Sequence, residues 1–264
     1  MAENPIVLET RGLGISFGGL QAVSDFNITI HEGELMGLIG PNGAGKTTVF
    51  NLLTGVYSPT EGSITLCGQK LNGKKSYQVV AAGIARTFQN IRLFKRMSVI
   101  DNVRIAFTKD VKYNLFDTFF RTRRYWEAEQ AITEKAMDCL ALVHLSDKAD
   151  LPSGSLPYGQ QRKLEIARAL ATDMKLLLLD EPAAGMNPTE TAELLDCISA
   201  IRSKFGIAIL LIEHDMSLVM QICQRIQVIN FGQTIACGTP GEIAENPEVI
   251  KAYLGDRKED ELGA

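Results

Sequence analysis

Eight consecutive residues, Gly40-Pro41-Asn42-Gly43-Ala44-Gly45-Lys46-Thr47, match G-x-x-x-x-G-K-[ST] without a mismatch. A mostly apolar run of strand length, Glu34 to Ile39, leads into them. Thr47 to Thr54 follows with helical spacing, and Gly55 stands where such a helix would end. A strand, a glycine loop and a helix start bring backbone N–H groups together on phosphate oxygens, and the helix N-terminus adds its positive dipole end. In that setting Lys46 reaches β- and γ-phosphates, and Thr47 offers a hydroxyl to Mg²⁺. A glycine-rich turn with no ligand is the competing reading, and the flanking strand and helix argue against it.

The rest of the composition narrows the class. A chain of 264 residues makes one large domain or two small ones, with a substantial core. The net charge of −4 argues against nucleic acid as a main partner, because duplex binding needs a strongly basic face. The basic run Arg121-Thr122-Arg123-Arg124 reads as a solvated helix end or loop. Five cysteines without a C-x-x-C pair suggest reduced thiols in a cytosolic protein, and three histidines make a His-rich metal site improbable. Met1 to Leu8 lacks the apolar core of a signal peptide, and no run approaches the ~20 apolar residues of a membrane span. A membrane role would have to pass through a partner.

Along the chain, Ile6 to Leu8, Gly14 to Phe17, Phe26 to Ile30, Ser63 to Cys67 and Ile84 to Phe88 read as strands. From about Ser98 to Leu170 the pattern turns helical. There Trp126 to Val143 forms a long helix with Ala128, Ala131, Ile132, Ala136, Leu140 and Val143 near one face. Then Lys175 to Leu179 and Ile207 to Ile212 are continuous apolar strands of the parallel, buried type, with a helix over Thr189 to Phe205 between them. The expectation is an α/β core interrupted by a helical insertion.

Three further segments belong with the glycine loop. Leu176 to Leu179 ends in Asp180-Glu181, and ligands in open α/β sheets gather at the carboxyl ends of strands. Asp180 is suited to hold Mg²⁺ and Glu181 to orient or deprotonate a water. Ile212-Glu213-His214-Asp215 puts a histidine at another strand end, either as a γ-phosphate sensor or as an exposed turn residue. Ser155 to Leu170 is a glycine turn entering an amphipathic helix, whose N-terminus is again an anion site.

In order, GPNGAGKT, Gln89 in RTFQN, LPYGQQRKLEIARAL, LLLLDEP and IEHD resemble the motifs of ATP-binding-cassette (ABC) ATPases over essentially the whole chain. RTFQNIRLF, LPYGQQ, DEPAAGMNP, LLIEHDMSLVM and the closing NPEVIKAYLG are most similar to the ATP-binding subunits of bacterial branched-chain amino acid importers. The resemblance implies a RecA-like P-loop core with an antiparallel β subdomain (1–90 and 171–264) and a helical subdomain (91–170), in one nucleotide-binding domain. It implies that Gly40, Pro41, Asn42, Gly43, Ala44, Gly45, Lys46, Thr47 and Thr48 hold the phosphates of ATP. Gln89 would sense Mg²⁺ and water, Asp180 associate with Mg²⁺, Glu181 act as catalytic base and His214 as switch. Gly159 and Gln160 would end the signature motif. Phe17 would stack on adenine, unless it is a core residue. Two positions depart from the common pattern. Pro157 stands where a serine is usual, with Ser155 a candidate substitute. Asn187 stands where an aspartate is usual.

The same resemblance implies a head-to-tail dimer, each ATP lying between the loop of one subunit and the Leu156–Gln160 helix start of the other. It also implies two membrane permease subunits, an extracytoplasmic solute-binding protein acting indirectly, and a place on the cytoplasmic face of the membrane. The permeases are expected to dock between Gln89 and about Arg124, with Phe94 and Phe116 in the groove. Phe119 and Phe120 either share that surface or fill the helical subdomain's own core. A cassette for another solute (urea, amides, other amino acids) remains open, as does a soluble ABC protein with no transporter.

Overall fold

The computed structural model describes residues 4–110 and 113–253, with no side-chain description for 108–110. The elements are β1 (Ile6–Phe17), β2 (Leu20–His31), β3 (Leu35–Ile39), α1 (Lys46–Leu53), β4 (Glu61–Leu66), β5 (Gln69–Lys70), α2 (Ser76–Ala82) and β6 (Ile84–Arg86). Then follow α3 (Val99–Arg104), α4 (Leu115–Phe120), α5 (Arg123–Leu142), α6 (Tyr158–Leu170), β7 (Leu176–Asp180) and α7 (Pro188–Phe205). The chain continues with β8 (Ala208–Ile212), α8 (Met216–Ile222), β9 (Arg225–Asn230), β10 (Gln233–Gly238) and α9 (Pro240–Ala244). Two compact units emerge. The first holds the chain up to Arg86, Lys175–Pro182 and from Arg202 on; the second holds Thr87–Met174 and Ala183–Ile201.

The first unit carries both sheets. One is antiparallel, in the order β2-β1-β4-β5. The other runs β10-β9-β3-β8-β7-β6, parallel from β9 to β6 with β10 antiparallel at its edge. The three central strands β3, β7 and β8 are buried at every position, which is why their sequences read as unbroken apolar runs. One cluster joins side chains of both sheets and of α1: Leu8, Phe26 and Ile30, Met36 and Leu38, Val49, Phe50 and Leu53, Leu178 and Leu210. Burial of such side chains contributes on the order of 1.5–3 kcal/mol each.

Several boundaries differ from the sequence expectation for local reasons. Ile6–Leu8 and Gly14–Phe17 are one strand, because register shifts around Gly12 (φ 55°) break the period of two. Ile84–Phe88 keeps strand form only to Arg86, where pairing with β7 ends. Beyond His214, the β9–β10 hairpin and helices α8 and α9 complete the unit.

The second unit is helical. Its longest helix, α5, begins at Arg123, where the Thr122 hydroxyl accepts from the Tyr125 N–H. Ile132, Ala136, Leu140 and Val143 are buried on its inner face, while Ala131 is exposed. Ala131 lies one residue before Ile132, about 100° round the helix, so it cannot share that stripe. In the basic run, Arg121 is the left-handed C-cap of α4 and Thr122 the N-cap of α5, a junction between helices. Among the described residues, no helix is long and apolar enough to cross a membrane. Of the closing NPEVIKAYLG, Leu254 and Gly255 lie outside the described residues.

Candidate functional site: the glycine loop and the strand ends beside it

The loop between β3 and α1 has a shape that its glycines alone permit. Gly40 (φ 155°) leaves β3 against the Ile229 carbonyl oxygen, with which a Cβ would collide. Gly45 (φ 106°) is the N-cap of α1, and a Cβ there would lie 3.0 Å from the Ala22 carbonyl oxygen. No side chain caps α1 and no acidic residue sits in its first turn, so the positive dipole end faces the loop without a carboxylate of its own. Lys46 is 6% exposed, and its ammonium donates to the carbonyl oxygens of Gly40 (2.6 Å) and Pro41 (2.8 Å). The cation is thereby folded back across the loop. Asn42, Gly43 and Thr47 are exposed, Ala44 is buried, and Gly45 and Thr48 are half-buried.

Two carboxylates close β7. Asp180 is 5% exposed and accepts from the Arg86 guanidinium at 2.6 Å. Glu181 follows in left-handed backbone (φ 47°), its N–H held by the Ile212 carbonyl at 2.9 Å. This conformation is costly for a residue with a Cβ. It turns Glu181 out of the strand, and Oε1 meets His214 Nε2 at 2.6 Å. His214 is about half exposed. The two side chains come from the ends of neighbouring parallel strands β7 and β8, so tertiary pairing alone brings them together. The loop, Asp180, Glu181 and His214 all belong to the first unit.

Phe17 lies there too, at the end of β1. It is 44% exposed and edge-on to Tyr57, with ring centroids 5.2 Å apart. That exposure removes the core alternative and leaves an aromatic face open to stacking.

Gln89 and the signature helix lie in the second unit. Gln89 is exposed, and its backbone is anchored by a residue that pattern reading passed over. Arg162 of α6, 2% exposed, donates to the Phe88 carbonyl at 2.5 Å and to the Gln89 carbonyl. It also lies 3.3 Å from Glu165 and 3.0 Å from the Tyr158 hydroxyl. Burial raises the Glu165 pKa although Arg162 opposes it, so desolvation outweighs the pairing. An arginine inside an otherwise amphipathic helix was the available signal.

Pro157 occupies the N-cap position of α6, where its missing N–H removes no helix bond. The Ser155 hydroxyl donates to the Pro152 carbonyl at 2.7 Å in the preceding turn. Gly159 is buried under α7, where a Cβ would lie 3.0 Å from Glu190 Oε1. Gln160 accepts from Lys148 at 2.9 Å. Asn187 and Glu190 exchange side-chain-to-backbone bonds of 3.0 and 3.1 Å at the start of α7, so Asn187 serves as a helix cap.

A family model described as ABC transporter matches residues 23–184, and one described as branched-chain amino acid ATP-binding cassette transporter matches 233–259. This chain belongs to the ABC transporter ATP-binding family. It is 47% identical over 250 residues to the high-affinity branched-chain amino acid transport ATP-binding protein BraF of Pseudomonas aeruginosa, covering 95% of this chain and 98% of BraF. It is equally similar, with the same coverage, to the corresponding protein LivG of Escherichia coli. Among solved structures, the ADP conformation of MJ1267, an ATP-binding cassette of an ABC transporter, superposes with a TM-score of 0.82 at 30% identity, covering 95% of this chain and 99% of that one. The ABC ATPase thus has the P-loop α/β fold of its family, binds adenine nucleotide and has ATP hydrolysis as its activity.

Proposed function

We propose that this ABC ATPase powers uptake of branched-chain amino acids through membrane permease partners. The observation that carries the solute class is the 47% identity, over nearly the whole chain, to proteins that bear that role in their names. The model match at 233–259 supports it independently of the nucleotide motifs. Reconstitution with branched-chain amino acid permeases and a solute-binding protein tests the reading. ATP-dependent leucine uptake is the expected result; uptake of urea or an amide with none of leucine would overturn it.

In the proposed mechanism the glycine loop and Lys46 hold the triphosphate, Glu181 takes a proton from the attacking water, and His214 fixes Glu181 in place. The donor set fits Mg²⁺: Thr47 offers a hydroxyl and Asp180 a carboxylate, both hard oxygens. Bound Mg²⁺ would neutralise charge on the β- and γ-phosphates. The family resemblance assigns Gln89 to sensing Mg²⁺ and water, and within its own unit its backbone is held by Arg162.

A head-to-tail dimer supplies the remaining contacts in this scheme. Triphosphate carries more charge than one surface neutralises, so the α6 N-terminus of a second subunit, with the Gly159 N–H, would complete the site. Removing the γ-phosphate removes that link and lets the dimer open. Pro157 cannot contribute a hydroxyl, and Ser155 would have to leave the Pro152 carbonyl to do so.

The Lys46→Ala variant tests the loop. It removes the buried ammonium that the Gly40 and Pro41 carbonyls aim. Nucleotide affinity and turnover should both fall, by about 10²-fold or more for loss of a charge clamp on phosphate. Survival of both in a nucleotide titration would show that the loop is not the site.

The permease dock is proposed on the apolar surface of the second unit. Phe94 (50% exposed), Phe116 (63%), Phe119 (81%) and Phe120 (60%) all face out, so Phe119 and Phe120 do not fill this unit's own core. Helix α4 is inverted relative to its own unit. Asp117 is turned in, accepting from Asn114 N–H (3.2 Å) and Thr122 Oγ (2.8 Å), bonds that hold its pKa below the usual range. The three phenylalanines pack on one another outside, with centroids 4.5 and 5.1 Å apart. A patch of this kind marks a partner surface. Phe94→Asp and Phe116→Asp should leave folding and basal ATPase intact while co-purification with permeases and solute uptake fall. Unchanged uptake with both positions charged would place the dock elsewhere.

A further inference from the structure

We infer that Arg86 is a positioning residue for the metal-associated carboxylate Asp180. It ties the strand that ends in Asp180 to the helix that carries Lys46 and Thr47. The inference rests on the assignment of Asp180 to Mg²⁺ given above.

Arg86 ends β6, where it pairs with Leu178 of β7, two residues before Asp180. Residues two apart on neighbouring strands share a face, so Arg86 and Asp180 are diagonal neighbours. Arg86 Nη2 donates to Asp180 Oδ2 at 2.6 Å. Arg86 Nη1 donates to Asn51 Oδ1 of α1 at 2.7 Å. The guanidinium lies over the Phe50 ring, 5.3 Å from its centroid. Both charged side chains are only 7% exposed. One rigid, planar cation therefore fixes three things together: the Asp180 carboxylate, the middle of α1 and the face of Phe50. Thr47 lies one helical turn before Asn51 on that helix.

A buried ion pair adds little net stability, since desolvation consumes most of the attraction. What the pair does supply is geometry. Magnesium demands near-ideal octahedral placement of its oxygens. Of the donors proposed for it, Thr47 stands on α1 and Asp180 on β7, and Arg86 is a side chain that bridges these two elements. Lysine at this position keeps the charge, but as a point cation it lacks the fork that reaches Asn51 and Asp180 at once. Arg86→Lys thus removes positioning while leaving the local charge unchanged.

The experiment measures Mn²⁺ affinity by electron paramagnetic resonance in the full chain, with a non-hydrolysable ATP analogue bound. Nucleotide affinity without metal and thermal stability are recorded in parallel. Arg86→Lys should weaken Mn²⁺ binding about 10-fold, as loss of an outer-shell orienting group does, and leave metal-free nucleotide affinity within about twofold. Asn51→Leu, which removes the second anchor and leaves Arg86 and Asp180 in place, should weaken Mn²⁺ binding in the same direction. Unchanged Mn²⁺ affinity in a folded Arg86→Lys protein, with or without a lower melting temperature, overturns the proposal. If that variant does not fold, unchanged affinity in Asn51→Leu overturns it instead. Asp180→Asn reads the underlying assignment separately: wild-type Mn²⁺ affinity there would overturn the metal role of Asp180 and Arg86 positioning with it.

Discussion

The Glu181→Gln variant should bind ATP and lose turnover by about 10²–10⁴-fold, the usual contribution of a positioned general base. The carboxylate stands at the end of β7 on a left-handed backbone (φ 47°) that the Ile212 carbonyl holds in place. Its partner is His214 Nε2 at 2.6 Å. Glutamine keeps the length and the planar head and can still bond the imidazole, but it cannot accept a proton from water. The defect should therefore fall on kcat and spare nucleotide affinity, with the variant accumulating as an ATP-bound dimer in gel filtration. His214→Ala should also bind ATP and hydrolyse slowly, because it frees Glu181 without removing it. Wild-type hydrolysis in Glu181→Gln would sink the assignment; wild-type hydrolysis in His214→Ala would return His214 to the role of an exposed turn residue.

The second large effect is on stability. Arg162→Leu should destabilise the fold by about 3–5 kcal/mol, because it strands a buried charge. Arg162 and Glu165 are each 2% exposed and 3.3 Å apart. Without the guanidinium, burial pushes the Glu165 pKa further up, and the carbonyls of Phe88 and Gln89 lose their donor. At that size the melting temperature falls by on the order of 10 °C. The sign of the pH dependence follows. A carboxyl whose folded pKa is raised binds protons more readily folded than unfolded, so stability falls as pH rises through the ordinary carboxylate range. The penalty of Arg162→Leu should be smaller near pH 5 than near pH 7.5, a comparison that calorimetry at the two values makes directly. The double variant with Glu165→Leu should recover the ion-pair part and keep the cost of the two carbonyls, about 1–3 kcal/mol each. Equal stability of wild type and Arg162→Leu would show that Arg162 is not a strut of this unit. Faster hydrogen exchange at Gln89 and Asn90 in a folded Arg162 variant would trace the effect to the loop that carries Gln89.

The parts of the candidate site were legible from the linear sequence because each of them is local. The loop Gly40–Thr47 needs its glycines at fixed offsets and a helix directly behind, and both are visible in the residues themselves. Leu176 to Glu181 announces a buried strand with carboxylates at its end for the same reason. Strands that are buried on both faces and helices that are buried on one stripe leave periods that survive in one dimension. Where geometry interrupts a period, the reading loses precision. The register shifts near Gly12 split one strand into two apparent ones, and the exposure of Ala131 was invisible because small residues mark neither face strongly.

Tertiary structure decided the rest. That His214 meets Glu181 follows from β8 lying beside β7, 33 residues apart in the chain. That Arg86 grips Asp180 follows from β6 on the other side, and that Arg162 holds the backbone of Gln89 follows from the fold of the helical unit. An arginine written in a sequence is by default a solvated surface residue, since its charge is costly to bury. Only packing shows which arginines have found enough acceptors to stay inside. Phe119 and Phe120 could by sequence either fill the helical unit's core or share an outer surface with Phe116, and the tertiary structure, with Asp117 turned in through its bonds to Asn114 and Thr122, leaves all three exposed. Sequence fixes what each residue is able to do through its own neighbours. Contacts between distant segments depend on how strands order and helices pack, and no local period encodes that order.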